Sequence, residues 1–310
     1  MNKSDKVYVA GHTGMVGSAI VRKLQDEGFS NIHVRSSKEL DLRNQHLVED
    51  FFQSENPDYV FLAAAKVGGI LANNTYKASF IYDNLIIQNN VIHAAYKNQV
   101  KKLLFLGSSC IYPKFADQPI REESLLTNEL EPTNEPYAIA KIAGLKMCQF
   151  YREQYNCNFI SLMPTNLYGP NDNFDLKNSH VLPALLRKFH EAKMNKKSTV
   201  TLWGTGNPLR EFLHVNDLAE ACIHFMLYYH KKEPVNIGTG IDISIHDLAY
   251  EIKKIVGFEG EIIWDINKPD GTPRKLLDVT KAKENGWESS ITLLDGIRMT
   301  YDWYVQNKGK

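Results

Sequence analysis

Short apolar runs alternate with helical patterns through the first half of the chain. The runs predict strands at Val7–Ala10, Ile32–Val34, Tyr59–Ala64, Leu103–Leu106 and Phe159–Met163. The patterns between them predict helices at Met15–Glu27 and Gln45–Ser54, a helix carrying Ile81, Leu85, Ile92 and Ala95 on one face, and a helix around Tyr137–Tyr155. The third strand is almost wholly apolar, which is typical of a strand covered on both faces. The alternation predicts right-handed crossovers and a parallel, doubly wound sheet.

The regular alternation of strand and helix patterns ends after Tyr168-Gly169-Pro170. The pattern then predicts a helix at Val181–Met194, a strand at Thr199–Trp203, a strand in REFLHVNDLAEA that runs into a helix returning to the main sheet, a helix at Ile245–Val256, a strand at Glu261–Asp265 and a final helix from about Leu293. We therefore predict an α/β fold, a Rossmann-type doubly wound parallel sheet with a smaller, discontinuous α/β lobe. Residues 1–170 and about 211–240 would form the nucleotide-binding domain, and about 171–210 and 241–310 the substrate lobe.

Composition and charge narrow the functional classes. Lysine plus arginine equals aspartate plus glutamate at 36 each in the 310 residues, so there is no net field to hold a nucleic acid. No apolar run approaches the roughly 20 residues that span a bilayer, and no signal-peptide pattern is present. The four cysteines form no CxxC pair, and no Cys/His cluster predicts a metal site. We expect a reducing cytoplasm.

A glycine-rich turn follows the first predicted strand. It reads Gly11, His12, Thr13, Gly14, Met15, Val16 and Gly17 and opens the first helix. Glycines allow a tight turn and a close approach of backbone to a pyrophosphate, and the helix N-terminus presents free N–H groups. A glycine triplet alone indicates only a turn. Its place between a strand and a helix favours a dinucleotide site.

The end of the second strand indicates which dinucleotide would bind. An acidic residue there would favour NAD, whereas this chain reads Val34-Arg35-Ser36-Ser37-Lys38. Basic and hydroxyl side chains suit a 2′-phosphate, so the sequence favours NADP. The alternative is that Arg35 and Lys38 are solvated surface charges.

A candidate catalytic set lies further along the chain. The fourth strand ends in Gly107-Ser108-Ser109-Cys110, and Tyr137 and Lys141 lie one helical turn apart. A lysine there would lower the pKa of the tyrosine, and a serine hydroxyl would bind a substrate oxygen. Three other YxxxK patterns, at Tyr228/Lys232, Tyr250/Lys254 and Tyr304/Lys308, are interpreted as surface helix pairs. The order of turn, serines and Tyr/Lys pair indicates a short-chain dehydrogenase/reductase.

Five blocks sharpen that resemblance. They are AAAKVGGILANN (63–74), LGSSCIYPK (106–114), EPTNEPYAIAKIAG (131–144), MPTNLYGPNDNF (163–174) and KPDGTPRKLLDVT (268–280). Together they closely resemble the GDP-L-fucose synthase family, the GDP-4-keto-6-deoxy-D-mannose 3,5-epimerase/4-reductases among the extended short-chain dehydrogenases. The resemblance runs from Val7 to about Trp303.

The resemblance implies one site with two chemistries and a homodimer formed through the helices near 80–97 and 136–155. Epimerisation beside the C4 ketone needs a proton-exchanging pair, for which Cys110 and His180 match the family. Reduction at C4 by NADPH would use Tyr137, Lys141 and Ser108. Taken without the family blocks, the cysteine would be a small buried hydrophobe and the histidine a structural residue.

The same resemblance implies the binding residues. Besides the glycine turn, cofactor contacts are expected at Ser37, Asp41, Leu42, Leu106, Gly107, Ser108, Ser109, Lys141, Pro164, Thr165, Asn166, Leu167 and His180. The GDP-sugar would meet Lys188, Trp203, Arg210 and Asp270. The competing interpretations are core packing for Trp203 and a solvated helix face for Lys188.

Two positions depart from the family. Its members carry an arginine within the glycine turn, where this chain has Thr13, and a second arginine aligned with Ser37. Both would grip the 2′-phosphate, and Arg35 or Lys38 could compensate for their loss.

Three alternatives compete with this interpretation. A 4-epimerase would retain NAD without net reduction, and a 4,6-dehydratase would use an acid such as Glu135 close to Tyr137. A non-catalytic NADP(H) sensor would not need Ser108, Tyr137 and Lys141 together.

Overall fold

The elements of the fold come from a computed structural model, which describes residues 1–176, 178–268 and 270–309. Pro269, within one of the quoted blocks, lies outside that range. The strands are β1 (Val7–Ala10), β2 (Ile32–His33), β3 (Tyr59–Leu62), β4 (Lys102–Leu106), β5 (Phe159–Pro164), β6 (Asn166–Tyr168), β7 (Thr199–Trp203), β8 (Leu209–His214), β9 (Val235–Ile237), β10 (Asp242–Ser244), β11 (Glu261–Asp265) and β12 (Arg274–Lys275). The helices are α1 (Met15–Asp26), α2 (Gln45–Glu55), α3 (Ile70–Thr75), α4 (Lys77–Lys97), α5 (Glu135–Tyr155), α6 (Val181–Met194), α7 (Val215–Tyr228), α8 (Ile245–Val256), α9 (Thr280–Glu284) and α10 (Leu293–Asn307).

The main sheet is parallel throughout, with the strand order β2-β1-β3-β4-β5-β9. Successive residues of a strand point to opposite faces, so Val7 and Val9 of β1 enter one core and Tyr8 and Ala10 the other. Helices α1 and α7 cover the first face, and α2, α4 and α5 cover the second. The predicted Rossmann-type sheet is confirmed, and the predicted helix limits agree with the structure within a few residues.

Strand β9 was missed by the sequence analysis. Its three residues are too short for a periodic signal, although they complete the main sheet beside β5. Asn236 in its middle is fully buried, and its amide accepts from the Tyr112 hydroxyl at 2.5 Å and donates to the Ile120 carbonyl at 3.0 Å. These side-chain bonds join the strand to the segment that follows β4.

The remaining strands form small sheets around a third core. Strand β8 pairs with β10, β12 and β6, and β7 pairs with β11 in parallel. Apolar residues of α6, α8 and α10, among them Phe189, Ile252 and Ile297, fill this core. The predicted α6, β7, α8 and β11 are confirmed.

The passage from β8 into α7 returns the chain to the main sheet, as predicted. His214 ends β8, and its Nδ1 accepts from the backbone N–H of Asn216 at 3.3 Å, which caps α7. Some residues cross the predicted domain limits: Tyr168 and Phe212 belong to the third core, and Ala282 and Trp287 to the first. The limits themselves stay a prediction.

None of the described helices is long and apolar enough to cross a membrane.

Candidate active site

The glycine turn joins β1 to α1 at the carboxyl end of the sheet. Gly11 has a φ of 89°, and a Cβ there would lie 2.7 Å from the backbone nitrogen of Ala64. Only glycine fits that position without strain. At Gly14 an added Cβ would meet one atom within 4 Å, the Gly11 carbonyl oxygen at 3.5 Å, so Gly14 faces open space. The turn is therefore closed towards the sheet and open towards solvent.

The open side of the turn fits an anionic ligand. Among the described residues no side chain caps α1, so its first N–H groups point outward with the positive end of the helix dipole. His12 adds a buried Nδ1 that has no partner within the described residues. Thr13 is exposed, Met15 and Val16 are half-buried against the first core, and a Cβ at Gly17 would overlap the Gly11 carbonyl. These features fit a dinucleotide pyrophosphate.

The region after β2 holds one of its two candidate cations in an ion pair. Arg35 donates to Glu55 Oε1 at 2.5 Å and to the Val34 carbonyl at 2.8 Å, so its guanidinium is turned to the protein. Ser37 and Lys38 are exposed. Of the two compensating cations suggested by the sequence, Lys38 is the one that stays available.

The neighbouring expected cofactor positions are held by local bonds. The carboxylate of Asp41 pairs with Arg43 at 2.9 Å, which holds the pKa of Asp41 below its usual range. The Leu42 carbonyl accepts from the Asn90 side chain at 2.9 Å, and the Leu42 side chain packs against the second core.

Lys141 is buried on α5 at 4% exposure. Its Nζ donates to the Leu106 carbonyl at 2.7 Å and lies 4.9 Å from the centre of the Phe105 ring. Burial lowers the pKa of Lys141 to about 8, because the charged form loses hydration. The backbone of β4 thus fixes the ammonium at the carboxyl end of this strand.

The predicted lowering of the tyrosine pKa is wrong in this structure. Burial raises the pKa of Tyr137, and Cys110 adds to the rise. The Lys141 ammonium lies 5.7 Å from the centre of the Tyr137 ring, and it bonds to Leu106 instead. Tyr137 is therefore a protonated acid at neutral pH.

Ser108 and Cys110 form a short 3₁₀ turn directly after β4. Ser108 Oγ accepts from the Cys110 backbone N–H at 3.2 Å, which leaves the serine's own O–H free to donate. Asn134 donates from Nδ2 to Cys110 Sγ at 3.3 Å. Gly107 and Ser109 are buried, and a Cβ at Gly107 would overlap the Met163 side chain. The structure thus brings Ser108, Cys110 and Tyr137 together, as predicted.

His180 is the N-cap residue of α6 and is exposed. The surrounding protein lowers its pKa by desolvation, and Lys275 lowers it further by repulsion. Lys275 also lines a small pocket with Cys110, so one lysine acts on His180 by charge and shares a pocket with Cys110. The loop before His180 is held by Gly69, whose N–H donates to the Asn178 carbonyl at 2.8 Å.

The segment Pro164–Leu167 links β5 to β6 at the carboxyl edge of the main sheet. The backbone N–H of Thr165 donates to Ile237 at 3.0 Å, and the Asn166 side chain donates to the Glu211 carbonyl at 2.8 Å. Ligands of doubly wound sheets lie beyond this edge. The position agrees with the cofactor contact expected there.

The four expected GDP-sugar residues form two groups. Lys188 Nζ lies 5.9 Å from the centre of the Trp203 ring, and Trp203 is 64% exposed, so the core-packing interpretation of Trp203 is wrong. Asp270 accepts from the Thr205 N–H at 2.9 Å and from its hydroxyl at 2.7 Å. Burial lowers the pKa of Arg210, while the neighbouring Asp270 opposes the shift.

The sequence analysis missed several polar residues of this cleft. They are Lys114, Glu131, Asn134, Lys268 and Lys275, each of which lies inside a quoted family block. Lys114 pairs with Glu131 at 3.1 Å beside Cys110, and Lys268 lies 5.5 Å from the centre of the Trp203 ring. Their residue types alone gave no signal beyond their place in the blocks.

The interpretation of the other YxxxK patterns needs correction. Tyr250 and Lys254 do share α8, but α7 ends at Tyr228, before Lys232. Tyr304 is 4% exposed and packs on Phe174 and His190, so it belongs to the third core. Tyr304 is a core residue because it lies in an apolar environment, which the YxxxK spacing cannot show.

Comparison with known proteins agrees with the geometry. Residues 7–238 match the NAD dependent epimerase/dehydratase family. GDP-L-fucose synthase 1 of Arabidopsis thaliana is 63% identical over 306 residues, covering 99% of this chain and 95% of the relative. GDP-L-fucose synthase of Escherichia coli (strain K12) is 55% identical over 314 residues, covering 98% of each.

A solved structure has the same fold throughout. MlghC, a GDP-mannoheptose C4 reductase from Campylobacter jejuni with NADP bound, superposes with a TM-score of 0.91 at 44% identity, covering 98% of this chain and 99% of that one. The chain belongs to the NAD dependent epimerase/dehydratase family and, within it, to the group of the GDP-L-fucose synthases.

Proposed function

We propose that the protein converts GDP-4-keto-6-deoxy-D-mannose to GDP-L-fucose by 3,5-epimerisation and then NADPH-dependent reduction at C4. The observation that carries the proposal is the presence of two chemical sets around one cleft. Ser108, Tyr137 and Lys141 form a reductase set, and Cys110 and His180 supply separate proton-exchanging groups. Relatives at 63% and 55% identity that bear the name GDP-L-fucose synthase support it.

NADP(H) is the proposed cofactor, and MlghC with NADP bound supports it. When bound, NADPH supplies the hydride for C4. The glycine turn, with the uncapped α1 N-terminus and His12 Nδ1, would hold the pyrophosphate. Lys38 would meet the 2′-phosphate, and the Asp41–Leu42, Leu106–Ser109 and Pro164–Leu167 segments, with Lys141 and His180, would line the rest of the site.

Reduction at C4 needs a proton for the carbonyl oxygen. Tyr137 is suited to give it, because its raised pKa keeps the phenol protonated at neutral pH. The free O–H of Ser108 would donate to the same oxygen as negative charge develops there. Lys141 would orient the cofactor ribose from its fixed place against Leu106.

Epimerisation at C3 and C5 uses the acidity of C–H bonds beside the C4 ketone. One group removes the proton to give an enolate, and a second group returns a proton to the other face. His180 is neutral at neutral pH because its pKa is lowered, so its imidazole can exchange a proton there. The Cys110 sulfur is the other member of the pair.

The nucleotide would bind across the two groups of the substrate lobe. Trp203 offers an exposed aromatic face, and Lys188 and Arg210 offer positive charge to a diphosphate. Asp270 would accept hydrogen bonds from the base or from ribose hydroxyls.

A homodimer in a reducing cytoplasm is part of the proposal. Helices α4 and α5 carry large exposed side chains, including Tyr82 at 62% and Phe150 at 59% exposure, which a partner copy would cover. The cysteines among the described residues are free thiols, which suits a reducing compartment. Light scattering on the wild type and on Phe150→Lys tests the interface, and a wild-type monomer would contradict it.

The first experiment supplies GDP-4-keto-6-deoxy-D-mannose with NADPH or NADH and identifies the product. GDP-L-fucose from NADPH is the expected result. Cofactor oxidation that gives an unepimerised 4-reduced sugar would favour the second candidate, a C4 reductase without epimerase activity, which the similarity to MlghC favours. Saturable cofactor binding without oxidation would overturn the reductase assignment and favour a sensor.

A further inference from the structure

Asn134 does not do what an asparagine at the start of a helix usually does. It occupies the N-cap position of α5, where an asparagine side chain ordinarily accepts from the N–H groups of the first turn. No such bond is present, and Nδ2 instead donates to Cys110 Sγ at 3.3 Å. Its Oδ1 is buried and has no partner among the described residues. The bond to sulfur is therefore the contact that holds this side chain.

Both partners of this contact have a fixed backbone. The Asn134 carbonyl accepts from the Ala138 N–H at 3.0 Å, and the Asn134 N–H donates to the Glu131 carbonyl at 3.2 Å. The Cys110 N–H is held by Ser108 Oγ at 3.2 Å. The amide consequently ties the sulfur to the helix that carries Tyr137 and Lys141.

We propose that Asn134 is a positioning residue that aims the Cys110 sulfur at the sugar and stabilises its thiolate form. The inference rests on the proposed function. A hydrogen bond donated to a charged group favours that charged form, and the thiolate is the form of cysteine that accepts a proton. In the exchange step a C–H bond beside the C4 ketone breaks, its electron pair enters the enolate, and the proton moves to sulfur. His180 takes a proton from solvent and delivers it to the other face of the enolate, and the proton on sulfur passes to solvent, which restores the thiolate and the donated bond.

The direction of the bond decides the role. If the amide were reversed, the thiol would donate to Oδ1 and the neutral form would be favoured instead. Asn134→Ala removes both the donor and the acceptor and separates the two cases, since loss of a donated bond slows alkylation whereas loss of an acceptor for the thiol speeds it. Asn134→Asp keeps the shape but has no N–H donor. Asn128→Asp is the matched control: it makes the same change at an exposed loop position whose Oδ1 accepts from the Glu129 N–H at 2.8 Å.

The first readout is alkylation of Cys110 by iodoacetamide across pH, followed on its own peptide by mass spectrometry in the full-length protein. Asn134→Ala should slow alkylation at pH 7 about tenfold or more, since a hydrogen bond to a charged group is lost. Asn134→Asp should slow it at least as much, and Asn128→Asp should match the wild type. Alkylation of Asn134→Ala at the wild-type rate or faster, or equal slowing in Asn128→Asp, would overturn the proposal.

The second readout separates the two chemistries. Deuterium uptake from D₂O into GDP-4-keto-6-deoxy-D-mannose reports proton exchange, and oxidation of GDP-L-fucose by NADP⁺ reports the C4 step. Asn134→Ala should cut deuterium uptake about tenfold and leave C4 oxidation within about twofold. Equal loss of both would indicate a structural role and overturn the inference. If the wild type exchanges no deuterium, the proposed function fails, while the alkylation profiles still decide the Asn134–Cys110 bond.

Discussion

The proton-transfer side and the nucleotide side of the cleft are built in opposite ways. Lys141 is 4% exposed and bound to the Leu106 carbonyl, and Ser108, Cys110 and Asn134 are linked by hydrogen bonds to one another. Trp203 is 64% exposed, and the Nζ atoms of Lys188 and Lys268 lie 5.9 and 5.5 Å from the centre of its ring. On the first side the side chains are held by hydrogen bonds before any ligand arrives, whereas on the second side the aromatic face of Trp203 is open to solvent.

The difference follows from what each side has to do. Proton and hydride transfer depend on atoms held within a few tenths of an ångström, which a buried parallel sheet and its helix ends provide. Affinity for a flexible nucleotide depends on contact area and charge, which exposed side chains provide. Changes on the first side should therefore alter kcat, and changes on the second side should alter KM.

The largest effect should come from Tyr137→Phe. Loss of the acid should lower NADPH oxidation about 10²–10⁴-fold, while deuterium uptake into the sugar continues. Tyr250→Phe, which lies in the YxxxK pair on α8, should leave both rates unchanged. Stopped-flow absorbance of NADPH measures the first rate. Reduction within tenfold of the wild type would show that another group protonates C4.

The second-largest effect should come from Gly11→Ala. Alanine in a left-handed conformation costs roughly 1–2 kcal/mol, and Gly28 at φ 82° has nothing within 4 Å of an added Cβ. Gly11 has the same φ problem plus a contact at 2.7 Å with the Ala64 nitrogen. Gly28→Ala should therefore lower the free energy of unfolding by about 1 kcal/mol, and Gly11→Ala by about 3 kcal/mol or more.

Thermal unfolding and NADPH fluorescence titration check this pair. Cofactor affinity should fall for Gly11→Ala alone. Equal losses of stability in the two variants would mean that the close approach to Ala64 imposes no constraint.

Trp203→Ala should affect binding without affecting folding. Since the side chain is 64% exposed, the free energy of unfolding should change by less than about 0.5 kcal/mol. The KM for the GDP-sugar should rise about tenfold through the loss of base stacking. Trp203→Phe should restore most of the affinity. A fall in kcat at an unchanged KM would show that Trp203 contributes to the chemical steps instead of to binding.

The smallest effect should be at Lys38. Lys38→Ala should raise the KM for NADPH about threefold, as an exposed charge pair is worth 0.2–1 kcal/mol, and leave the KM for NADH unchanged. Arg35→Ala should do less, because Arg35 is already bound to Glu55 at 2.5 Å. Steady-state kinetics with both cofactors at two salt concentrations measures this. The reverse order would show that Arg35 leaves Glu55 when cofactor binds.

The sequence predicted elements with long periodic patterns and missed the short ones. Helices α4 and α5, each of 21 residues, have many turns over which an apolar stripe repeats. Strand β9 has three residues with a polar one in the middle, and its place depends on Tyr112 and Ile120, more than a hundred positions away. No local pattern carries such a contact.

The residues of the candidate site could be named from the sequence, but the direction of the Tyr137 pKa shift could not. Position on strand ends and on α5 singled out Ser108, Tyr137 and Lys141, and the family blocks added Cys110 and His180. The pKa of Tyr137 was predicted in the wrong direction, because burial of the phenol raises it and Lys141 bonds to the Leu106 carbonyl instead of to the phenol. Asn134 escaped notice since an asparagine before a helix is ordinarily only a cap.

Strand β9 lies far along the chain from β5, the strand with which it pairs, and this separation has a consequence during synthesis. Strand β5 ends at residue 164 and its neighbour begins at residue 235, so a growing chain exposes an apolar, unpaired edge of the sheet while some seventy further residues are made. At ribosomal speeds that interval lasts roughly 4–14 s. The nascent protein is most open to strand-mediated aggregation in this interval, and slow codons between residues 164 and 235 would lengthen the exposure.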